Sequence, residues 1–301
     1  MTAAKMVDLP CPVCAGTELV ELYPAEIKGA DEVSFSYSFS PAHNKLFRVV
    51  RCANKKCTHV YCTPIPDMIA DNYREVVDEE YLKHGASRRA AADACLVAIR
   101  KLVPKGRLLD VGCATGDFLL SAREAGFEAE GAELSAWSSK IARERGFTVH
   151  GKLASELAAT HAGVYDVITL WGVIEHFSHP AQVLTELRAL LKPGGIIAIW
   201  TGDVDGLCAR ILGRRWWMWM GQHIQYYTAI SLALQLETTG YKVEARLRYP
   251  FGATYEAISN SLRRYWGNSV IRFLMRPAFA LKPVWYLRLP GELYYIGRRA
   301  D

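Results

Sequence analysis

Cysteines that occur in pairs are the first residues whose type and spacing can do chemistry. Four of them form two pairs near the N-terminus: Cys11, Cys14, Cys52 and Cys57. Two thiolates on a tight turn can share one metal ion, and four sulfurs form the tetrahedral set that zinc prefers. The second pair is more widely spaced than usual, so His59 and Cys62 stay open as alternative ligands. We expect a structural zinc ion, because four protein ligands leave no open position for chemistry; buried, reduced cysteines without metal are the alternative.

A glycine-bearing loop in the middle of the chain has the pattern D-x-G-x-A-x-G, from Asp110 to Gly116. Glycines at such a turn let the backbone approach a ligand closely at the N-terminus of the following helix. A dinucleotide site has the pattern G-x-G-x-x-G, whose third glycine permits close packing of helix and strand. Counted from Gly112, the second and third positions here are Ala114 and Asp117, and Asp117 fits that role poorly. The loop therefore favours a different cofactor.

The loop pattern resembles the first motif of class I S-adenosylmethionine-dependent methyltransferases, in which the loop lies against the amino-acid part of the cofactor. Segments 166–176 and 190–195 resemble the family's fourth-strand segment and its turn into the fifth strand. Glu133 ends the second predicted strand, where a carboxylate can accept both ribose hydroxyls. The resemblance covers about residues 105–250.

The resemblance implies a set of cofactor contacts around this loop. The residues implied are Asp110, Gly112, Cys113, Ala114, Gly116, Phe118, Glu133, Leu134, Trp171 and Tyr81. Two of them have a plainer interpretation: Glu133 as a neighbour of a helix N-cap, and Trp171 as an ordinary core residue.

The N-terminal segment also resembles a known arrangement. The cysteine pairs, followed by Val60-Tyr61 and Pro64-Ile-Pro66, are similar to a methyltransferase subfamily that carries a small zinc-ribbon-like module before the catalytic domain. Members are often bacterial and modify saccharides, natural products or other small molecules. In that subfamily a linking helix, matched here by the segment that ends at Tyr81, directs tyrosines towards the cofactor pocket.

Two histidines are candidates for proton transfer. Methyl transfer requires donor and acceptor held in line, and an alcohol acceptor must also lose a proton. We expect His223 first and His176 second as the base, with Glu175 beside them, although a lone histidine is more often structural. Asp203 follows the fifth strand. Some relatives hold a divalent metal with E-x-x-E-H, but the first glutamate position here is Gly172, which argues against that metal.

Strands and helices alternate after the loop, which predicts a mostly parallel sheet covered on both faces. With the resemblance, the expected fold is α/β: a Rossmann-like, seven-stranded methyltransferase sheet whose last strand, Glu292–Gly297, is antiparallel. We expect a zinc-ribbon-like module at 1–68, linking helices at 69–104 and the catalytic domain at 105–301. A basic and aromatic insert should occupy about 251–290.

From Ser259 to Pro290 the insert combines basic and aromatic residues without any acidic ones. Between Ser259 and Pro290 the basic residues are Arg263, Arg264, Arg272, Arg276, Lys282 and Arg288. Such a segment suits an anionic membrane surface or a polyanionic substrate, with a solvated cap as the alternative. The apolar run Arg214–Met220 predicts a buried lid over the site, a substrate wall or a membrane-facing edge.

Composition fits an enzyme with a sizeable core. The 301 residues are 50% hydrophobic and 22% charged, with a net charge of +5. They contain no long apolar run and no apolar stretch of the signal-peptide kind at the N-terminus, so we expect a cytoplasmic protein, with peripheral contact at the inner membrane face through 259–290.

The predicted function is methylation, by S-adenosylmethionine, of an oxygen on a small-molecule, saccharide or lipid-linked acceptor. An RNA methyltransferase is the alternative, and a non-catalytic partner protein is a third. Nucleic acid is disfavoured because Trp171-Gly-Val-Ile174 stands where amino-directed nucleic-acid enzymes often have an Asn/Asp-Pro-Pro-aromatic box.

Overall fold

The computed structural model describes residues 6–29, 32–33, 35–37, 45–66, 72–255, 284–288 and 290–301. Most of the predicted basic insert lies outside these residues, as does Asp71 at the start of the predicted linking helix. The basic residues outside are Arg263, Arg264, Arg272, Arg276 and Lys282. Contact of 259–290 with an anionic membrane therefore stays a prediction. Among the helices that are described, none combines the length and the apolar character needed to cross a membrane.

Short antiparallel strands form the N-terminal module. They are β1 (Met6–Val7), β2 (Leu19–Tyr23), β3 (Val49–Cys52), β4 (Val60–Cys62) and β5 (Ile65–Pro66). β2, β3 and β4 pair in sequence order, and β11 (Gln225–Tyr226), from much later in the chain, pairs with β4. The strand predicted at Phe35–Phe39 is absent from Phe35–Tyr37, its described part. The module therefore shares a sheet with the region expected to be catalytic.

The linking segment holds two helices, α1 (Glu79–Leu82) and α2 (Gly85–Leu102), within the region 69–104 where linking helices were expected. Residues 74–78 are not helical, and α1 begins after Asp78, whose side chain accepts the N–H of Tyr81 as an N-cap. The buried residues of α2 include Cys95, Leu96 and Ile99, while Val97 is 59% exposed.

Seven strands form the central sheet. They are β6 (Gly106–Val111), β7 (Phe127–Ala132), β8 (Val149–His150), β9 (Tyr165–Trp171), β10 (Leu191–Gly202), β12 (Tyr241–Leu247) and β15 (Glu292–Arg299). Their order is β12-β15-β10-β9-β6-β7-β8, and β15 runs antiparallel to both of its neighbours. The predicted seven-stranded sheet with an antiparallel last strand is confirmed. Its central strands are apolar runs buried on both faces, as parallel strands covered by helices must be.

Helices connect these strands and cover them. They are α3 (Asp117–Glu124), α4 (Ala136–Glu144), α5 (Ala154–Ala158), α6 (Pro180–Leu190), α7 (Leu207–Leu212) and α8 (Ala229–Thr238). A hairpin of β13 (Phe251–Thr254) and β14 (Val284–Leu287) packs beside α2. Because β6, β7, β9 and β10 are parallel, the loops that follow them meet at one edge of the sheet, where ligands bind in open α/β folds.

A second apolar core joins the module to the catalytic region. Phe47 and Val60 of the module pack in one buried cluster with Trp216 and Trp219. The residues after α7 are therefore held against the module, and with them the loop that carries His223.

Candidate active site

A cavity of about 1160 Å³ opens at this edge of the sheet. Gly112 and Glu133 line one part of it, and His176 and His223 line another. The two sets come from loops after different strands, so the fold brings together residues that are far apart in sequence.

The loop after β6 has a conformation that favours glycine. Gly112 has φ of +69°, and a Cβ there would lie 2.6 Å from a methyl carbon of Val173. Gly116, with φ of +84°, is the N-cap of α3. Ala114 also has a positive φ, 44°, in the place of the motif's middle glycine. The loop is thus a tight turn that brings backbone close to the cavity.

Glu133 follows β7 directly and is buried. Its Oε2 accepts the N–H of Ala114 at 2.9 Å, and its Oε1 accepts the N–H of Ser135 at 2.8 Å and the hydroxyl of Tyr37 at 3.1 Å. Burial raises the pKa of this carboxyl group, and these hydrogen bonds act against that shift. Ser135 is the N-cap of α4, so Glu133 lies beside a helix start and also faces the cavity.

Asp110 lies beneath the loop and is almost fully buried. It accepts a hydrogen bond from the Thr169 hydroxyl at 2.6 Å. Burial raises the pKa of Asp110 to about 8, and the nearby charge of Glu133 adds to the shift. Two buried carboxyl groups with raised pKa values therefore stand on the same side of the cavity.

The other predicted cofactor residues divide into two groups. Those that line the cavity are Cys113, Ala114, Phe118, Leu134, Trp171 and Tyr81. Gly116 is not among the described residues that line it; a Cβ there would meet Ala142 instead. Trp171 fits both interpretations, because it borders the cavity and packs against Phe118 and Tyr294 with centroid distances of 4.9 and 5.5 Å.

Both histidines contact backbone carbonyl oxygens. The Nδ1 of His223 lies 2.8 Å from the carbonyl oxygen of Met218, and the Nδ1 of His176 lies 2.9 Å from that of Gln222. Since a carbonyl oxygen only accepts, the contact with Met218 places the proton of His223 on Nδ1, which leaves the lone pair on Nε2. The Nδ1 of His176 also lies 2.7 Å from the Tyr73 hydroxyl, which can donate or accept. The two rings meet edge to face with centroids 4.7 Å apart. Burial lowers the pKa of His176 to about 4, so its ring is neutral at physiological pH.

Glu175 is buried close to both histidines. It is 2% exposed and accepts a hydrogen bond from the Thr201 hydroxyl at 3.0 Å, and burial raises its pKa to about 7. One ligand atom from each of Glu175, His176 and His223 lies within 4.8 Å of the others, which is close enough to share a cation. Asp203 is not among the described residues that line the cavity.

The aromatic run before His223 is largely buried. Trp216 is 1% exposed, and Trp217, Met218 and Met220 line the cavity. This placement agrees with a buried wall over the site. Tyr249 and Phe251 line it from the catalytic domain's other side, which makes much of the wall apolar.

The four paired cysteines converge at the edge of the N-terminal module. The sulfurs of Cys11 and Cys57 are 3.6 Å apart, those of Cys14 and Cys52 are 3.5 Å apart, and all four lie within 4.8 Å of one another. Each pair ends in a turn whose next residue has positive φ, Ala15 at 56° and Thr58 at 57°. The wider second pair therefore closes in the same way as the first.

The two alternative ligands are engaged elsewhere. His59 is fully buried, with its nitrogens 3.2 Å from the Ser231 hydroxyl and 2.9 Å from Oε1 of Gln225. The Cys62 thiol points to the carbonyl oxygen of His223 at 3.7 Å. Neither belongs to the cysteine cluster.

Sequence reasoning missed two residues that contact the predicted site. Tyr37 binds Glu133, and Gln222 supplies the carbonyl partner of His176. No spacing or periodicity marks them, because each contact joins distant parts of the chain. Tyr73, which belongs to the linking segment whose tyrosines were expected near the pocket, lies 2.7 Å from His176 Nδ1.

Comparison with known proteins gives a consistent result. A family model described as a methyltransferase domain matches residues 81–246. The chain is 38% identical over 95 residues to a ubiquinone biosynthesis O-methyltransferase of Bordetella avium, covering 30% of this chain and 39% of the relative. The corresponding protein of Aromatoleum aromaticum is 37% identical over 95 residues, covering 30% and 41%. The chain thus spans less than half the length of these relatives.

Solved structures share the fold. A SAM-dependent methyltransferase from Archaeoglobus fulgidus aligns with a TM-score of 0.52 at 18% identity, over 74% of this chain and 100% of that one. A 1,6-didemethyltoxoflavin-N1-methyltransferase from Burkholderia thailandensis aligns with a TM-score of 0.50 at 15% identity, over 81% and 96%.

Proposed function

The chain belongs to the methyltransferase-domain family and has the class I fold of S-adenosylmethionine-dependent enzymes, and we propose that it methylates an oxygen atom of a small-molecule acceptor. One observation carries the proposal. A single cavity holds the glycine loop and Glu133 beside two histidines, His176 and His223. Such a cavity offers a place for a nucleoside cofactor next to a place for proton removal.

The polar and apolar groups that line this part of the cavity fit the cofactor. Glu133 supplies a carboxylate for ribose hydroxyls, the turn at Gly112 leaves room for close approach, and Phe118 and Trp171 supply apolar surface. The Trp171 Nε1 is buried and has no hydrogen-bond partner among the described residues. A bound cofactor supplies a methyl carbon that its positive sulfur makes electrophilic.

His223 is the proposed base. Its Nε2 carries the lone pair, and the carbonyl of Met218 holds the ring in that tautomer. It takes the proton of the acceptor hydroxyl as the oxygen forms its new bond to the methyl carbon, while the electron pair of the broken C–S bond stays with sulfur. His176 is the second candidate for the base. The backbone carbonyl oxygen of Glu175 accepts the N–H of Ile224 at 2.9 Å, so Glu175 positions the turn that carries His176.

The apolar wall of the cavity limits the chemical class of acceptor that can bind there. Trp217, Met218, Met220 and Phe251 border the cavity and would be poor partners for a bare saccharide, whose hydroxyls would lose hydrogen bonds there. We therefore propose an acceptor with a large apolar part, such as a lipid-linked or aromatic hydroxyl compound. The names of the curated relatives, which are ubiquinone biosynthesis O-methyltransferases, point in the same direction.

The cysteine cluster is proposed to hold a structural zinc ion. In a tetrahedral site with Zn–S bonds of about 2.3 Å, neighbouring sulfurs are about 3.8 Å apart. The sulfur distances of 3.5 and 3.6 Å within the cluster are close to that value. We propose residues 1–68 as this zinc-binding module, joined through 69–104 to a catalytic domain at 105–301.

Calorimetry with S-adenosylhomocysteine tests the cofactor assignment. Gly112→Arg should abolish binding, because even a Cβ at this position collides with Val173. Gly126→Arg is the matched control: Gly126 also has positive φ, 92°, but a Cβ there meets nothing within 4 Å. Micromolar binding by the Gly112 variant would overturn the assignment.

The acceptor is identified by incubating the protein with labelled donor and cell extract. The proposal expects label in an organic-soluble small molecule, found by mass spectrometry. Label that disappears on ribonuclease treatment would instead favour the RNA alternative, and no transfer by a protein that binds the donor would favour a non-catalytic partner.

A further inference from the structure

A tyrosine of the N-terminal module reaches into the cofactor part of the cavity. Tyr37 lies between β2 and β3 in sequence and lines the cavity, with its hydroxyl 3.1 Å from Oε1 of Glu133. Its ring tilts against that of Tyr81 with centroids 5.1 Å apart. The module thus contacts the carboxylate that the proposed cofactor needs.

The hydrogen-bonding capacity of Glu133 is nearly used. An ionised carboxylate offers about four lone-pair sites. Three are taken, by the N–H of Ala114, the N–H of Ser135 and the hydroxyl of Tyr37. Two ribose hydroxyls need two sites and only about one is left, so one of the three donors must leave when both hydroxyls bind.

Two of the three donors are backbone groups in rigid places. Ala114 lies in the glycine loop, where the N–H of Gly112 binds the carbonyl of Ala132 at 2.7 Å. Ser135 caps α4 through its own side chain, which accepts the N–H of Ser138 at 3.1 Å. Moving either donor would disturb a strand end or a helix start, whereas Tyr37 can leave by rotating its side chain.

The backbone beside Tyr37 is held by hydrogen bonds to other parts of the chain. Ser36 exchanges two hydrogen bonds with the Gln222 side chain, at 3.0 and 2.8 Å, and its hydroxyl donates to Asp78 at 2.7 Å. Gln222 directly precedes His223, and its carbonyl accepts from His176. The segment 35–37 therefore contacts both the cofactor carboxylate and the loop of the proposed base.

We propose that Tyr37 is a positioning residue of the cofactor site: its hydroxyl holds the Glu133 carboxylate in the cofactor-free protein and yields to a ribose hydroxyl when the cofactor binds. The inference rests on the proposed cofactor. The cysteine-bearing module is then part of the cofactor site, and Tyr37 lowers affinity by competing for one acceptor site.

Calorimetry on the full chain with S-adenosylhomocysteine tests the inference through Tyr37→Phe. Loss of the competing hydrogen bond should tighten binding about three- to tenfold. Tyr165→Phe is the matched control, because the Tyr165 hydroxyl donates to Glu130 at the same distance, 3.1 Å, away from the cavity. It should leave the affinity unchanged.

A second measurement separates this role from a general effect on folding. The affinity lost by 2′-deoxy or 3′-deoxy analogues of S-adenosylhomocysteine reports what each ribose hydroxyl gains. At least one of these losses should be several-fold larger in Tyr37→Phe than in the natural protein, because that hydroxyl no longer has to displace a competitor. A merely structural role would change all three affinities alike.

The outcomes distinguish the two proposals. A natural protein that does not bind S-adenosylhomocysteine defeats the proposed function and this inference with it. A natural protein that binds, with Tyr37→Phe equal or weaker and the analogue ratios unchanged, overturns the inference alone. Equal tightening in Tyr165→Phe would also overturn it.

Discussion

The protein gathers metal-ligating side chains in two places that differ in their surroundings. In the closed cluster, the four paired cysteines, the sulfurs lie within 4.8 Å of one another, as the proposed zinc ion would need. In the open cluster, Glu175, His176 and His223 provide three groups beside a cavity of about 1160 Å³. The ligand atoms are equally close in both, but ligand type and access differ: four sulfurs that leave no open position suit a structural role, and an open set leaves room for a substrate.

Electrostatics separates the clusters further. A hydrogen bond from Cys57 lowers the pKa of Cys11 to about 5, which favours a thiolate there, while the same hydrogen bond and burial raise the pKa of Cys57 and burial raises that of Cys52 to about 11. Burial lowers the pKa of His176 to about 4 and raises that of Glu175 to about 7, which favours neutral groups. The cysteine cluster therefore holds its protons unevenly, whereas the second cluster favours uncharged side chains.

The largest expected effect comes from breaking the closed cluster. Cys57→Ser should lose the single zinc ion per chain and about 5 kcal/mol or more of folding free energy, because binding of a structural metal is folding free energy. Elemental analysis and urea unfolding measure the two. Cys208→Ser, at a cysteine outside the cluster, should retain both. Protein without metal but with unchanged stability would remove the structural role of the ion.

A substitution in the open cluster should lower the rate of methyl transfer and leave the stability of the fold unchanged. His223→Gln should lower the methyl-transfer rate about 10²- to 10⁴-fold, the usual contribution of a general base, with zinc content and stability retained. Single-turnover assays with the extract-derived acceptor measure it, and His161→Gln, outside the cavity, is the control. An unchanged rate would transfer the role to His176.

A fall in pH should lower the stability of the protein through His176 of the open cluster. A pKa lowered from 6.5 to about 4 means that its stabilising contribution is complete above pH 6.5 and is lost as the pH falls towards 4. The loss is at most about 3 kcal/mol. Glu175, with a raised pKa, acts in the opposite sense as the pH rises from 4.5 to about 7.

Urea unfolding of the natural protein and His176→Gln between pH 7.5 and 4 isolates the histidine contribution. The difference in stability should shrink towards acid pH. A difference that is constant across the range would mean that His176 does not titrate in the folded protein as its burial implies.

The smallest expected effect is that of replacing Cys62, which does not belong to the closed cluster. Cys62→Ala should keep one zinc per chain and cost about 1 kcal/mol, since it removes only a buried sulfur in contact with the carbonyl of His223. Loss of zinc in this variant would show that the metal site extends beyond the paired cysteines.

Local patterns predicted most of the fold. The sheet and its antiparallel last strand follow from apolar runs separated by glycine stops, and each of these signals lies within a few residues of the element that it marks. The residue at which α1 begins was missed, because it depends on the cap formed by Asp78. Propensity alone does not distinguish that cap from an ordinary helical position.

The cavity was predicted better from motifs than from spacing. The glycine loop, Glu133 and His176 line it because each follows the end of a parallel strand, and His223 reaches it from the loop after α7. Tyr37 was missed because its contact with Glu133 joins residues 96 positions apart, with no periodic signal at either end. β11 was also missed, because two residues are too few to show a strand pattern.

The pairing of β11 with β4 also has a consequence for biosynthesis. His59 and Gln225, which meet at this junction, are 166 residues apart, and a ribosome takes roughly ten to thirty seconds to make such a length. The cysteine pairs emerge early and can close around an ion at once, whereas β4 presents an unpaired edge until the later strand arrives. An unpaired edge is a template for association with other chains. The nascent chain thus passes through an interval in which its first module has its cysteine pairs but lacks its last strand, and in which a chaperone at that edge would be of most use.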